Sequence, residues 1–190
     1  IWKLGSGEVL SNDLLDYIPS NNNTILASTG MSNWDEIDML YKNLSNRVNP
    51  FALMQCTSNY PTKLEDVGIN VLDELKDRYN CSIGLSDHSG KVFPSLAALW
   101  MNVHYLEVHV TFNKSMYGPD VSSSITFDQL SSLNDANKAF SVLRNNPVNK
   151  NLKVEKMSEL RHIFTKSAFA NCFISKNDIL TLDMITFKKP

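Results

Sequence analysis

The sequence predicts an α/β fold of repeated βα units around a parallel sheet. Three observations lead there: short apolar runs alternate with longer amphipathic ones, they recur at intervals that suit a strand, a helix and two loops, and each closes on polar residues. The expected strands are Trp2 to Leu4, Thr24 to Ala27, Phe51 to Gln55, Ser82 to Leu85 and Tyr105 to Val110. Their middles are continuously apolar, as parallel strands covered on both faces must be.

The expected helices fill the gaps. Val9 to Ile18 places Leu10, Leu14, Leu15 and Ile18 on one stripe, and Asn33 to Leu44 repeats the helical spacing with Ile37, Leu40, Tyr41 and Leu44. Ser32, with Asp35 three residues on, is the expected cap of that second helix. Leu64 to Tyr79 carries the pattern more weakly, Phe93 to Val103 is apolar enough to be buried on the sheet, and Thr126 with Gln129 forms a capping box before Phe127, Leu130 and Leu133. Residues 1–144 thus form one unit. The polar, Pro-containing run after Arg144 opens a linker, taken as residues 145–162. Residues 163–190 hold short β-type runs at Phe173-Ile174, Ile179-Leu180 and Met184 to Phe187, too little chain to bury a core.

Composition narrows the function. A chain of 190 residues, 43% hydrophobic, can bury one sizeable core. A net charge of -2, with Lys and Arg scattered, offers no field for a nucleic-acid backbone, so no nucleic-acid partner is expected. No apolar run approaches the roughly 18 residues that span a bilayer, and no membrane association is expected. Cys56, Cys81 and Cys172 lie far apart, outside any disulfide or zinc spacing, and read as core residues of a cytoplasmic protein. Four N-x-S/T triplets, at Asn22, Asn43, Asn80 and Asn113, are within chance for an Asn-rich chain.

In parallel βα folds the chemistry collects where strands end. Here the ends read Lys3-Leu4-Gly5-Ser6-Gly7-Glu8, Ser28-Thr29-Gly30-Met31, Gln55 through Pro61, and Ser86-Asp87-His88-Ser89, while the last strand carries Glu107, His109 and Thr111. Glycines that let backbone N–H groups approach, hydroxyls and one ammonium suit a small anionic substrate. His88 and His109 end consecutive strands, about 4.8 Å apart, and could share one metal ion. Spacing alone favours a plainer reading, two unrelated histidines of which one is held by Asp87. His104 and His162 are read as structural. Glu107 and His109 share a face by strand periodicity. Asp120 on the following loop suits sugar hydroxyls as well as it suits an ordinary turn, and Tyr60 suits a substrate wall or packing.

These motifs, in this order and spacing, resemble the N-acetylneuraminate (sialic acid) synthase family over about residues 1 to 120. The stretch from Phe164 to Pro190 resembles the opening of that family's antifreeze-like (SAF) domain. The resemblance implies a (β/α)8 TIM barrel of which strands four to eight are present, and a metal-dependent condensation of phosphoenolpyruvate with an N-acetylated amino-sugar aldehyde. By resemblance, His88 and His109 hold Mn2+ or Mg2+ and, with Glu107, form the catalytic set. Lys3, Ser6, Ser28, Ser58 and Ser86 hold phosphoenolpyruvate, Tyr60, Glu107 and Asp120 face the sugar, and the full-length protein is a homodimer. The family often has His at Gln55, Lys at Val108 and Asn at Ser58, so the sequence sits nearer the spore-coat and nonulosonic acid branch. A legionaminic or pseudaminic acid synthase is the alternative of the same kind. A non-catalytic sugar-binding homologue, or a barrel metal hydrolase, is the alternative of another kind. With the first three strands absent, residues 1–190 alone are expected to be unstable and inactive.

Overall fold

The structure is a computed structural model that describes residues 1–189, apart from the side chain of Glu155. It divides into a unit of Ile1–Arg144 and a second unit beginning at Asn145. In the first, β1 (Trp2–Leu4), β2 (Ile25–Ser28), β3 (Phe51–Cys56), β4 (Ser82–Asp87), β5 (Tyr105–Thr111) and β6 (Ser124–Thr126) form one sheet in sequence order. Every neighbouring pair is parallel. The helices α1 (Asn12–Tyr17), α2 (Trp34–Ser45), α3 (Val71–Arg78), α4 (Phe93–Trp100) and α5 (Phe127–Asn145) follow β1, β2, β3, β4 and β6. The α/β class is as the sequence predicts, and all five expected strands form.

Strand periodicity divides the sheet into two faces. Leu4, Ile25, Ala27, Leu53, Ile83 and Leu85 belong to the main core with Leu15, Ile37, Leu40, Leu72 and Leu75 from the helices. The alternate residues, Lys3, Leu26, Ser28, Met54, Cys56, Ser86, Glu107 and His109, therefore face the other way. On that face Lys3 Nζ lies 2.5 Å from Glu107 Oε2, joining β1 to β5. Four strand spacings amount to about 19 Å in a flat sheet, further than a Lys and a Glu side chain reach together. The sheet is therefore curled, with this face inside, as in part of a barrel.

Several boundaries differ from the sequence-based expectation, each for a physical reason. The cap of α2 is Asn33, not Ser32: its side chain accepts from Glu36 N (3.0 Å) while Glu36 Oε2 accepts from Asn33 N (2.8 Å). Glu has the reach that Asp35 lacks for this reciprocal pair. The expected helix Leu64 to Tyr79 is broken into a 3-10 turn (Leu64–Asp66) and α3, because Gly68 adopts φ 66° against the side chain of Gln55. The helix expected to reach Val103 ends at Trp100, and Asn102 turns the chain at φ 61°. The helix expected from Val9 begins only at Asn12, and a 3-10 turn over Ser6–Glu8 precedes it. The short strand β6 has no counterpart in the expectation; it pairs with the end of β5, His109 with Ser124. The Thr126–Gln129 capping box forms as expected, through Thr126 N to Gln129 Oε1 (2.8 Å) and Gln129 N to Thr126 Oγ1 (3.3 Å).

In the second unit the segment read as linker contains two helices, α6 (Lys150–Glu155) and α7 (Ser158–Phe164). Asn149 caps the first through bonds from Asn151 N and Leu152 N, a signal that the polar composition obscured. Beyond them β7 (Ser167–Ala170) pairs antiparallel with β8 (Ile185–Lys188). The runs Phe173-Ile174 and Ile179-Leu180 are irregular rather than strands, with Phe173 90% and Ile179 85% exposed.

One tie between α2 and the end of α3 has a measurable pH signature. The Tyr79 hydroxyl donates to Asp38 Oδ1 (2.5 Å), and Arg78 pairs with Asp38 Oδ2 at 3.1 Å while lying over the Trp34 ring. Burial, and then the bond and charge of Asp38, push the Tyr79 phenol from 10.0 up to about 12. The fold thus prefers the protonated phenol, so its contribution is complete below pH 10 and is lost as pH rises from there toward about 12. The Tyr79 bond, with Arg78, draws the Asp38 carboxyl down, so the acid-side contribution is lost as pH falls through the carboxylate range. Tyr79→Phe is expected to cost about 1 kcal/mol near neutrality and to flatten the alkaline fall in melting temperature, measured by calorimetry across pH. An unchanged alkaline limb rules the tie out as its source.

Candidate active site at the strand ends

The inward residues of β4 and β5 continue past the last paired positions, Asp87 with Val108, to His88 and His109. Their rings stand 5.1 Å apart, edge to face, and the Tyr60 ring stacks on His88 at 4.3 Å and approaches His109 at 5.7 Å. His88 is 6% exposed. Its Nδ1 lies 3.0 Å from the Thr57 carbonyl oxygen, which can only accept, so Nδ1 carries the proton and the neutral ring keeps its lone pair on Nε2. Near that Nε2 are Ser86 Oγ (3.4 Å) and Tyr60 OH (3.5 Å). His109 Nδ1 lies 3.9 Å from Asp120 Oδ2. Asp87 does not hold either imidazole: its carboxylate accepts from Ser89 N (2.8 Å) and Ser95 Oγ (3.1 Å), fixing the turn after β4 to α4. Gln55, on the same outer face of β3, ties that strand to Val67 O (3.0 Å).

The hydroxyls gather at Gly30. Its N–H donates to Ser6 Oγ (3.1 Å), and a Cβ there would stand 2.7 Å from Ser58 Oγ, 2.9 Å from Ser6 Oγ and 3.0 Å from Cys56 O. Only glycine lets these three loops meet. Ser28, inward on β2 and 2% exposed, has a hydroxyl oxygen with no hydrogen-bond partner. A buried hydroxyl without a partner is costly unless something arrives to use it. Lys3, by contrast, is satisfied by Glu107, so the expected phosphate-holding ammonium and sugar-facing carboxylate face each other. Ser28 makes no bond to the other expected residues. His104 is structural as read, its Nδ1 accepting from Ile83 N at 3.2 Å, and His162 lies on α7.

Cys56 was missed by the sequence reading, which placed it in the core. Its sulfur lies 3.8 Å from His88 Nδ1 and 3.6 Å from Ser6 Oγ. Burial alone would raise its thiol, but bonds to His88 and Ser6 outweigh burial and draw it down. Burial would likewise lower His88, and the bonds to Cys56 and Thr57 outweigh it in raising the imidazole. The signal was strand parity: Cys56 alternates with the core residue Leu53 and the outward Gln55, in step with Met54.

Two imidazoles suit a divalent first-row ion with open positions for oxygen ligands. The donor set fits, since the Thr57 bond leaves the lone pair of His88 on Nε2. Among the described residues no third His, Cys, Asp or Glu completes a metal-holding group with them.

A curled parallel sheet that gathers imidazoles, hydroxyls and an ammonium–carboxylate pair at its carboxyl ends defines a βα-repeat protein with a candidate site at its strand ends. Within that class the chain belongs to the NeuB family, which it matches over residues 1–148. It is 32% identical over its whole length to an N,N'-diacetyllegionaminic acid synthase of Campylobacter jejuni, of which it covers 57%. It is 30% identical, over 98% of its length, to the human N-acetylneuraminate-9-phosphate synthase, of which it covers 52%. A solved N-acetylneuraminic acid synthetase of Leptospira borgpetersenii shares the fold with a TM-score of 0.72 at 24% identity, over 85% of this chain and 57% of that one. The chain thus spans about half the length of the relatives it matches. Among the described residues no helix is long and apolar enough to cross a membrane.

Proposed function

We propose that this chain carries the strand-end half of the active site of a synthase that joins phosphoenolpyruvate to an N-acetylated amino-sugar aldehyde. The observation that carries the reading is the 5.1 Å pair of His88 and His109 rings beside the hydroxyls converging on Gly30. The names of the family relatives support the same reading. β1 to β5 are the fourth to eighth strands of a (β/α)8 barrel, with the short β6 an addition after the eighth, residues from about 163 open an antifreeze-like domain, and the working protein is a homodimer in the cytoplasm.

Lys3, Ser6, Ser28, Ser58 and Ser86 hold the phosphate and carboxylate of phosphoenolpyruvate; the unpartnered Ser28 oxygen gains a bond when they do. Tyr60 walls the sugar side, with Glu107 and Asp120 facing its hydroxyls. His88 and His109 would hold Mn2+ or Mg2+, which when bound would supply Lewis-acid polarisation of the aldehyde oxygen. The new bond runs from C3 of phosphoenolpyruvate to the aldehyde carbon, whose oxygen takes up a proton to become a hydroxyl. Water adds at C2 and gives one proton to Glu107, which passes it to the new alkoxide; the C2 hydroxyl then loses its second proton to the phosphate as inorganic phosphate departs with the C–O bond electrons, leaving the 2-keto acid.

The test is phosphate release by the full-length protein with phosphoenolpyruvate and a panel of N-acetylmannosamine and diacetamido-hexose acceptors. Release that requires both an acceptor and a divalent ion is expected, and the preferred acceptor separates sialic from legionaminic or pseudaminic acid synthesis. Turnover without phosphoenolpyruvate, or none with any acceptor, overturns the reading.

A further inference from the structure

The loop from Thr57 to Thr62 does more than connect strand to helix. Thr62 is 5% exposed, and its one hydroxyl hydrogen is shared between Thr57 O (3.1 Å) and Asn59 O (2.8 Å). Its backbone N–H donates to the carbonyl of His88 (3.0 Å). Thr57 O is also the acceptor that holds His88 Nδ1, at 3.0 Å. A carbonyl oxygen has two lone pairs, and at Thr57 one serves the imidazole and the other serves Thr62. One side chain thus fixes the acceptor, while its own backbone fixes the residue that donates to it. Thr57 Oγ1, donating to Asp66 O at 2.7 Å, anchors the far side of the same loop.

We infer that Thr62 is a positioning residue that sets the tautomer and direction of the His88 ring, presenting Nε2 to the site. Without the Thr62 hydroxyl, Thr57 O keeps only the imidazole, and the loop segment carrying both it and Tyr60 loses its internal brace. The inference rests on the reading of His88 as a metal ligand only for its consequence, not for the ring geometry. Outer partners of ligating histidines typically alter metal affinity by about 10–100-fold.

The test uses full-length protein with 15N-labelled histidine, read by NMR at a pH where the ring is neutral, together with Mn2+ affinity from electron paramagnetic resonance. Wild type is expected to show the Nδ1–H tautomer at His88. Thr62→Val and Thr62→Ala are expected to populate the other tautomer and to weaken Mn2+ binding about tenfold, while Thr62→Ser retains both properties. An Nε2–H ring in wild type, or hydroxyl-free variants with unchanged tautomer and affinity, overturns the inference. A tautomer that depends on Thr62 in a protein that binds no Mn2+ supports the positioning role and refutes the metal site, so the two failures are distinct.

Discussion

His88→Ala is expected to reduce metal-dependent phosphate release in the full-length protein by more than roughly a hundredfold. Lewis-acid polarisation is worth several kcal/mol, and about 3 kcal/mol corresponds to that factor. The fold should survive. The imidazole leaves a buried site, but its acceptor, Thr57 O, keeps the Thr62 bond, and Asp87, Ser89 and Ser95 still fix the end of β4. His109→Ala should cost about as much, and the double variant little more, because groups acting as one unit are not additive. Steady-state rates at several Mn2+ concentrations, with calorimetry as the folding control, decide it. Retention of metal-stimulated turnover in either single variant would sink the shared-ion proposal.

Gly84→Ala should produce a large loss of stability. A Cβ there would lie 2.3 Å from Met54 Sδ and 2.6 Å from Tyr105 O. The sulfur sits on a flexible side chain and can swing away, but Tyr105 O is backbone in the neighbouring strand β5, paired with this residue. Overpacking of this kind costs about 1–3 kcal/mol, and the backbone clash puts Gly84→Ala at the upper end. For a domain of this size that lowers the melting temperature by roughly 6–12 °C. Adding Met54→Ala should recover only part of the loss, since it relieves one clash and opens a cavity of its own. A Gly84→Ala protein that melts with the wild type contradicts the close approach of β4 to β5.

The strands were legible because a sheet covered by helices needs continuous apolar runs, and Ile25, Leu53, Ile83 and Leu85 supply them. Their carboxyl ends ran longer than expected, through Ser28, Cys56, Asp87 and Thr111, since apolar content stops there while the ladder continues. β6 escaped because three residues, Ser124, Ile125 and Thr126, carry too little pattern. The break at Gly68 depends on the nearby Gln55 side chain, a contact between segments that local periodicity does not encode. The imidazole pair was visible as two strand-end histidines, and resemblance supplied its meaning. The Lys3–Glu107 contact was invisible, because it joins non-adjacent strands and exists only once the sheet curls. Cys56 was misplaced for a different reason: burial and apolar character also describe a residue on the inner wall.

Gln55 and Asp87 hold their strands from the helix-facing side, independently of what lines the mouth. Recognition can therefore diversify without eroding the scaffold. Under the proposed function, substitutions at Tyr60, the residue assigned to the sugar side, would change acceptor preference while the Gln55 and Asp87 ties stay in place.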